Sequence, residues 1–338
     1  MANETLSEAS RWQSLGWYVT YVCQGTLTGS LNLFITSVIL YYPALRSRKE
    51  FLILAAQTFA DGSNQLAYVL AGAYRIILTW QANLEQLWLK RTSWDCINTP
   101  HNLVWLWSDA SAGLMLLVVS LDRLLAIAQP LQYIGLGHGY AYLMIVLCYG
   151  ICFGQGTLGW LLTFLHRQSK VRPHKYICNG IANVWDQTYP LYAFYYRYTP
   201  PTAALCSAVL YGVVLVLYRR KQNSVTPSLS GEALKTELLL QRRLTITIAI
   251  SSACTVAFNV IPYHLGYRLQ ALGINNMMAW IVSNLNPLAN VLIYPLRQKD
   301  IRKGVVALIH CKHMPEDLRM WVSQQVDGNE RRVKAMFE

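Results

Sequence analysis

The sequence predicts an all-α membrane protein: a seven-transmembrane helix bundle with its N terminus outside, its C terminus in the cytoplasm and a short amphipathic helix after the last span. Three observations carry that expectation. The 338 residues are 54% hydrophobic and only 14% charged, with a mean hydropathy of +0.25, which is too little charge to coat a soluble globule of this size. Seven apolar segments of helical length follow one another, and at about 20 residues per crossing they leave the remainder for loops and tails. The excess of 29 Lys+Arg over 17 Asp+Glu recurs in alternate loops, the positive-inside pattern, and forms no compact basic module of the kind a nucleic-acid binder carries.

The first segment, Trp12 to Leu45, holds no charged residue and stops at Arg46-Ser47-Arg48-Lys49, which read as cytoplasmic anchors. It is too long for a signal peptide. Six more follow, near Phe51 to Leu78, Leu103 to Ala128, Tyr140 to Leu165, Tyr198 to Tyr218, Leu244 to Gly266 and Ile274 to Leu296. The last four carry no Asp, Glu, Lys or Arg, whereas the second and third hold Asp61, Arg75, Asp109, Asp122 and Arg123. Ionisable residues at membrane depth are functional candidates by default. Arg219, Arg220, Lys221, Lys235, Arg242 and Arg243 between the fifth and sixth segments, and Arg297, Lys299, Arg302 and Lys303 after the seventh, place those loops on the same side as Arg46, Arg48 and Lys49. The opposing side has one basic exception, the loop with Arg167, Lys170, Arg172, His174 and Lys175, which either attracts an acidic peptide or small anion or is a solvated face. The chain thus divides into an extracellular tail at 1–14, a seven-span domain at 15–296 and a cytoplasmic amphipathic helix and tail at 297–338.

Asn3-Glu4-Thr5 is an N-glycosylation sequon on the outer side. Cys311, after the basic amphipathic stretch, is either a lipid attachment site or an ordinary surface thiol. Of eight cysteines, Cys23, Cys148, Cys152, Cys206 and Cys254 lie in apolar segments and read as small buried hydrophobes. Cys96 and Cys178 face the oxidising side, either bridged, which pins the long loop over the bundle mouth, or as two unpaired thiols. Gly154-Gln155-Gly156-Thr157-Leu158-Gly159 matches a dinucleotide fingerprint letter by letter, but no strand precedes it. The pairs Gly25/Gly29 and Gly150/Gly154 instead have the spacing that lets helices approach closely. His310-Cys311-Lys312-His313 lacks further ligands at zinc-site spacing, so no metal is expected. No GxSxG, HExxH or P-loop occurs, so the sequence offers no catalytic residue and no enzyme chemistry.

At the end of the third segment the sequence reads Ser120-Leu121-Asp122-Arg123-Leu124-Leu125-Ala126-Ile127-Ala128-Gln129-Pro130-Leu131-Gln132-Tyr133. This resembles the rhodopsin-like (class A) G-protein-coupled receptors, whose third helix ends in Asp/Glu-Arg-Tyr followed by Ala-Ile, two variable residues, Pro-Leu and Tyr. Leu124 stands where the first Tyr is expected. Asn32, Asp61, Pro262 and Asn290-Val291-Leu292-Ile293-Tyr294 fit the first, second, sixth and seventh helices, and the likeness runs from about Trp17 to Cys311. Val291 replaces the family's Pro while Asn286-Pro287 stands one turn earlier, which predicts a kink at a different level. Asn259-Val260-Ile261-Pro262 lacks the large aromatic of the family's sixth-helix element. Such drift is similar to the nematode chemosensory serpentine receptors of the sx class, and Leu296-Arg297-Gln298-Lys299-Asp300 is similar to vertebrate odorant receptors.

The resemblance implies a G-protein-coupling switch of Asp122, Arg123, Pro262, Asn290 and Tyr294. It also implies an allosteric sodium site of Asp61, Ser111, Asn286 and Asn290, although Ala112 removes a hydroxyl ligand; a protonated Asp61 hydrogen-bonded between helices is the alternative. No other cofactor is expected. Asp109 lies 14 residues before Arg123, about 21 Å up the helix and within roughly 40° of the same face. It therefore points into the outer half of the bundle, where Trp105, Tyr263 and His264 complete a candidate ligand pocket. It lies one turn deeper than the amine-anchoring Asp of aminergic receptors, whose place Trp105 takes, so an amine is not the implied ligand.

These readings converge on a plasma-membrane receptor that couples an extracellular signal, an odorant-like small molecule or a peptide, to a heterotrimeric G protein. Its other partner is the lipid bilayer, and nucleic acid is not one. A multi-pass transporter or channel is the alternative, against which Asp122-Arg123 and the lack of an inverted repeat argue. A non-signalling orphan receptor is the second, left open by the altered sixth and seventh helix motifs.

Overall fold

A computed structural model of the chain describes residues 8–81, 92–167, 178, 182–185, 189–225, 245–271 and 277–310, and every regular element among them is helical. Asn3, Cys311, Lys170, Arg172, His174 and Lys175 lie outside the described residues.

Helix α1 (Glu8–Tyr41) begins inside the stretch assigned to the extracellular tail and ends four residues before Leu45. Pro43 sets that end. A residue preceding proline is pushed out of the helical region, and Tyr42 sits at φ −88°, ψ 115°. Pro43 then opens a single turn, α2 (Pro43–Arg46), so Leu45 belongs to the connection and not to the span. Helix α3 (Lys49–Gln81) follows. The short α4 (Ser93–Ile97) starts on a capping box in which Thr92 and Asp95 satisfy each other's backbone N–H. Helix α5 (Pro100–Ala128) ends at Gln129, α6 (Pro130–Gly135) turns the chain, and α7 (His138–Leu165) returns across the bundle. After α8 (Ala182–Trp185), α9 (Pro190–Val225) runs through Pro200 and Pro201 without stopping.

The last part of the chain is the least regular. Helix α10 (245–255) passes into a wide π turn at Val256–Val260, where Ile261 N–H bonds the Val256 carbonyl five residues back, before α11 (Ile261–Ala271). Pro262 explains the position: it has no N–H for the preceding turn and its ring crowds the carbonyl there. The seventh segment is two helices, α12 (Met277–Ser283) and α13 (Leu285–Arg297), divided at Asn284. Pro287 can neither bond the Ser283 carbonyl nor clear it, which puts the break about two turns before Val291, itself inside an uninterrupted helix. Helix α14 (Lys299–Ile309) buries Ile301, Gly304 and Ala307 and exposes Arg302 and Lys303, the amphipathic element expected after the last span.

Among the described residues five helices are long and apolar enough to cross a membrane: α1, α5, α7, α9 and the stretch Thr245–Gly266. Helix α3 has the length, 33 residues or about 50 Å, but carries Asp61 and Arg75. The seventh segment is shortened by its break. Three apolar clusters stack along the bundle. Leu45, Phe51, Val291, Tyr294 and Ile301 join α2, α3, α13 and α14 at one end; Met115, Cys152, Tyr211 and Val214 fill the middle; Trp105, Trp185 and Tyr196 close the other end against Cys96 and Cys178.

Of the two glycine pairs, Gly25/Gly29 lies at a helix contact, where an added Cβ on Gly25 would stand 2.9 Å from the Gln65 carbonyl oxygen. Gly150/Gly154 makes no such contact among the described residues, with nothing within 4 Å of an added Cβ at either position. The tightest backbone approach of α5 is at Gly113, 2.7 Å from the Pro200 carbonyl oxygen by the same measure. Gly113→Ala is expected to lower the thermal midpoint of the detergent-solubilised protein by about 3–6 °C, since a backbone neighbour cannot swing aside. Gly150→Ala is expected to leave it within about 1 °C. Equal losses from the two substitutions would refute the close α5–α9 approach.

Candidate functional site

The described side chains gather their charge at the α5–α6 corner. Asp122 and Arg123 are each 1% exposed. Arg123 Nε donates to Asp122 Oδ2 at 2.9 Å, and Arg123 Nη2 pairs with the same oxygen. Pro130 starts α6 so that Tyr133 folds back beneath the pair. Its hydroxyl accepts from Arg123 Nη2 at 2.9 Å and donates to Asp122 Oδ1 at 3.1 Å. Burial pushes the Tyr133 phenol well above its ordinary value, against the opposing pull of Arg123, so it remains a donor. Lys49 Nζ in turn bonds the Tyr133 carbonyl and, at 2.8 Å, that of Leu136, and it lies 3.8 Å from the Tyr133 ring centroid. Arg48 pairs with Glu50 at 2.9 Å and with Asp300 of α14 at 3.0 Å. Arg48 and Lys49, expected as simple anchors at the membrane border, therefore have protein partners: their positions beside buried acceptors outweigh their exposure to headgroups.

A second polar feature runs up α10. Thr247, Ser251 and Thr255 are spaced by four residues and so share one helix face. Each meets the segment that follows α12. Gln298 Nε2 donates to Thr247 Oγ1 at 2.8 Å, Ser251 Oγ donates to Asn290 Oδ1, and Thr255 Oγ1 donates to Asn286 Oδ1 at 2.9 Å. Between this ladder and the Arg123 corner lies a narrow cleft of about 10 Å³ lined by Asp122, Arg123, Thr247, Ile248, Tyr294 and Gln298. A cleft of that size holds about one water molecule, so it admits no helix as it stands.

Halfway along the bundle Asp61, 3% exposed, accepts from Gln57 Nε2 at 3.1 Å and lies near the Asn290 side chain, while its Oδ2 and Asn290 Nδ2 have no hydrogen-bond partner. Ser111 donates to the Ser108 carbonyl of its own helix and Asn286 is taken by Thr255. Of the four residues assigned to a sodium site, Ser111, Asn286 and Asn290 are each bonded to a partner other than Asp61. That set does not form an ion cage in this conformation.

At the far end, Cys96 and Cys178 are disulfide-bonded with Cα atoms 5.3 Å apart. Asn102 Nδ2 donates to the Cys96 carbonyl at 2.7 Å and Trp185 Nε1 donates to Thr163 Oγ1 at 2.9 Å, tying the bridge and α8 to α5 and α7. Trp105 is buried, 5.2 Å from the Tyr68 ring centroid, and its carbonyl accepts from the Tyr196 hydroxyl at 2.6 Å. Asp109 is partly exposed, and His264 on α11 is exposed. No bond joins Asp109 to His264 among the described residues, and the Tyr263 side chain lies outside them. Tyr133 and Gln298 stand in the sequence only as letters of matched stretches with no role assigned, and Gln57 and the α10 hydroxyls carry no motif. The four-residue spacing of Thr247, Ser251 and Thr255 was the readable signal for the ladder.

Two comparisons bear on this arrangement. The family model described as serpentine type 7TM GPCR chemoreceptor Srsx matches residues 26–309. The chain is 24% identical over 212 residues to olfactory receptor 51I1 of Homo sapiens, an alignment that spans 58% of this chain and 62% of that receptor. The chain thus covers less than two thirds of the length of the curated relative it matches.

The disulfide closes a loop across a sequence separation of 82, for which the chain-entropy account gives a stabilisation of about 4.5 kcal/mol. Cys96→Ser, Cys178→Ser and the double substitution are expected to lower surface delivery and thermal stability to the same extent, because each removes the same bond. A double variant clearly worse than either single one would show that the cysteines act separately.

Proposed function

The chain belongs to the Srsx family of serpentine seven-transmembrane GPCR chemoreceptors, and we propose that it is a multi-pass plasma-membrane receptor that converts binding of an extracellular chemical into nucleotide exchange on a heterotrimeric G protein. Its N terminus lies outside, the α5–α6 corner and α14 lie in the cytoplasm, and it acts by changing shape, catalysing nothing itself. The carrying observation is the closed cleft over the buried Arg123–Asp122–Tyr133 group.

In the resting state Arg123 is neutralised inside the bundle and the α10 ladder holds the sixth segment against the seventh. Activation swings α10 outward about the π turn before Pro262, breaks the ladder and enlarges the cleft for a helix of the G-protein α subunit, with Arg123 released to receive it. Three hydrogen bonds at about 1 kcal/mol each oppose the swing. A ligand that binds the open state about 150-fold better than the closed one supplies an equivalent bias. Asp109, Trp105, Tyr263 and His264 are the proposed contacts in the outer half, and no step runs through an ion.

Arg123→Ala is expected to abolish agonist-driven nucleotide exchange at equal surface density while ligand binding is retained. Normal exchange by that variant would sink the mechanism. Gln298→Ala and Thr247→Val each remove one rung of the ladder and are expected to raise basal exchange about fivefold; basal rates at or below the unmodified receptor's would remove the ladder from the switch. Asp109→Asn is expected to shift agonist potency more than surface level, and an unchanged dose response at matched expression would return Asp109 to a packing role.

A further inference from the structure

Arg75 lies on α3 fourteen residues beyond Asp61, about 21 Å along the helix and within roughly 40° of the same face. It is 6% exposed. A guanidinium does not give up its proton in a protein, and a buried charge is ordinarily met by a counter-charge or a full set of hydrogen bonds. Among the described residues no carboxylate pairs with Arg75, and its Nε has no hydrogen-bond partner.

The surroundings are aromatic and neutral. The guanidinium carbon lies 5.8 Å from the Tyr18 ring centroid, with Tyr21, Tyr68 and His101 in electrostatic range. Tyr68 stacks edge-on to Trp105 at 5.2 Å, Trp105 to His101 at 5.5 Å, and His101 tilts against Tyr74 at 5.2 Å. His101 is fully buried beneath Cys178, and its Nδ1 is a second polar atom without a partner.

We infer that Arg75 anchors a carboxylate-binding subsite between α1, α3 and α5, and that the receptor's ligand is an organic monoanion with an aromatic or other apolar body. The fork of N–H groups on a guanidinium matches the two oxygens of a carboxylate. One cation among neutral side chains balances one negative charge, which favours a monocarboxylate over a phosphate dianion. The tyrosine, tryptophan and histidine rings supply the wall for the apolar part. At 6% exposure the subsite is covered, so the ligand is admitted by rearrangement of the side chains above it. The inference rests on the reading of the chain as a receptor for an extracellular chemical.

The test measures binding to the full chain, purified in detergent, without a G protein. Thermal midpoints are recorded with acetate, decanoate, phenylacetate, cinnamate and indole-3-acetate, and with the amide of each. At least one aromatic carboxylate is expected to raise the midpoint by about 3 °C or more at millimolar concentration, with its amide inactive. Arg75→Gln is expected to abolish the shift. Arg75→Lys, which keeps the charge if the Gln variant fails to fold, is expected to raise the half-effective concentration at least tenfold. No shift with any carboxylate, an equal shift with the amide, or a shift undiminished in both variants overturns the subsite. The subsite fails while the receptor reading stands if an agonist is found whose potency ignores Arg75. The receptor reading fails while the subsite stands if a carboxylate binds through Arg75 and the reconstituted receptor drives exchange on no G protein.

Discussion

A guanidinium that is 1% exposed must be answered by other groups of the protein, and the arrangement of the α5–α6 end follows from how Arg123 is answered. Asp122, the adjacent residue, supplies the counter-charge, but adjacent side chains on a helix diverge, so the pair needs a third group to close it. Tyr133 does this by accepting from one partner and donating to the other. That role fixes where α6 runs, and Lys49 fixes α6 from the opposite side through two carbonyls. Arg48 extends the same network to α14 through Asp300. Removing Arg123 from its pocket while the cleft stays dry leaves Asp122 buried and unpaired, at a cost of about 3–5 kcal/mol. Opening the cleft to water or to a partner removes that cost. A buried ion pair beside a closable cleft therefore has two low-energy conditions, which is the physical requirement for a switch.

The α10 ladder obeys the same rule with neutral groups. Hydroxyls in an apolar bundle find either their own backbone or a neighbouring helix. Thr247 and Ser251 find the neighbouring segment, while Thr255 has both the Ser251 carbonyl of its own helix and Asn286 in reach, and Ser120 both the Leu116 carbonyl and Ser207 of α9. Hydrogen bonds can be exchanged in single steps, while interlocked side chains must be unpacked together. The element proposed to move is thus held by separable polar contacts, and the wide turn before Pro262 leaves its backbone loosened where a hinge is needed.

Much of the fold was legible in the sequence, and the physical reasons are visible element by element. The middle of each apolar segment follows from composition, and α5 and α7 begin within three residues of the expected starts because Pro100 and Gly137 interrupt the chain there. Pro43 could have corrected the end of α1, since it forbids the helical conformation at Tyr42. The displaced break of the seventh segment followed from Pro287 and Val291. Contacts between distant residues were not legible. Nothing local distinguishes Lys49 as a Tyr133 partner from a lysine at a headgroup, or Gly25 at a helix contact from Gly150 away from one, because both depend on which face a neighbour covers. Ser111 and Asn286 have the residue types of an ion shell, but which way a short polar side chain turns is decided by the nearest competing acceptor.

The polar residues of α3 form a line with consequences for how the two ends of the bundle communicate. Gln65 Nε2 donates to Asn284 Oδ1 at 3.2 Å, at the break between α12 and α13, and one turn further on Asp61 lies near Asn290. Asn290 is also the acceptor for Ser251 on α10. The seventh segment is therefore gripped by α3 at its break and by the α10 ladder below it. A displacement of the outer half of α3 is not absorbed by α12–α13 as a rigid rod, because that rod is already divided at Asn284. Continuity of contacts alone does not establish coupling; coupling requires an element with two arrangements that both sites bias. In the proposed receptor the Asn284 break takes that part, bonded to α3 through Gln65 and to α10 through Asn290. In the proposed receptor a charge taken up near Arg75 acts on the upper grip, and release of Arg123 acts on the lower one. Both ends work against the same few hydrogen bonds, each small enough for a ligand to outweigh.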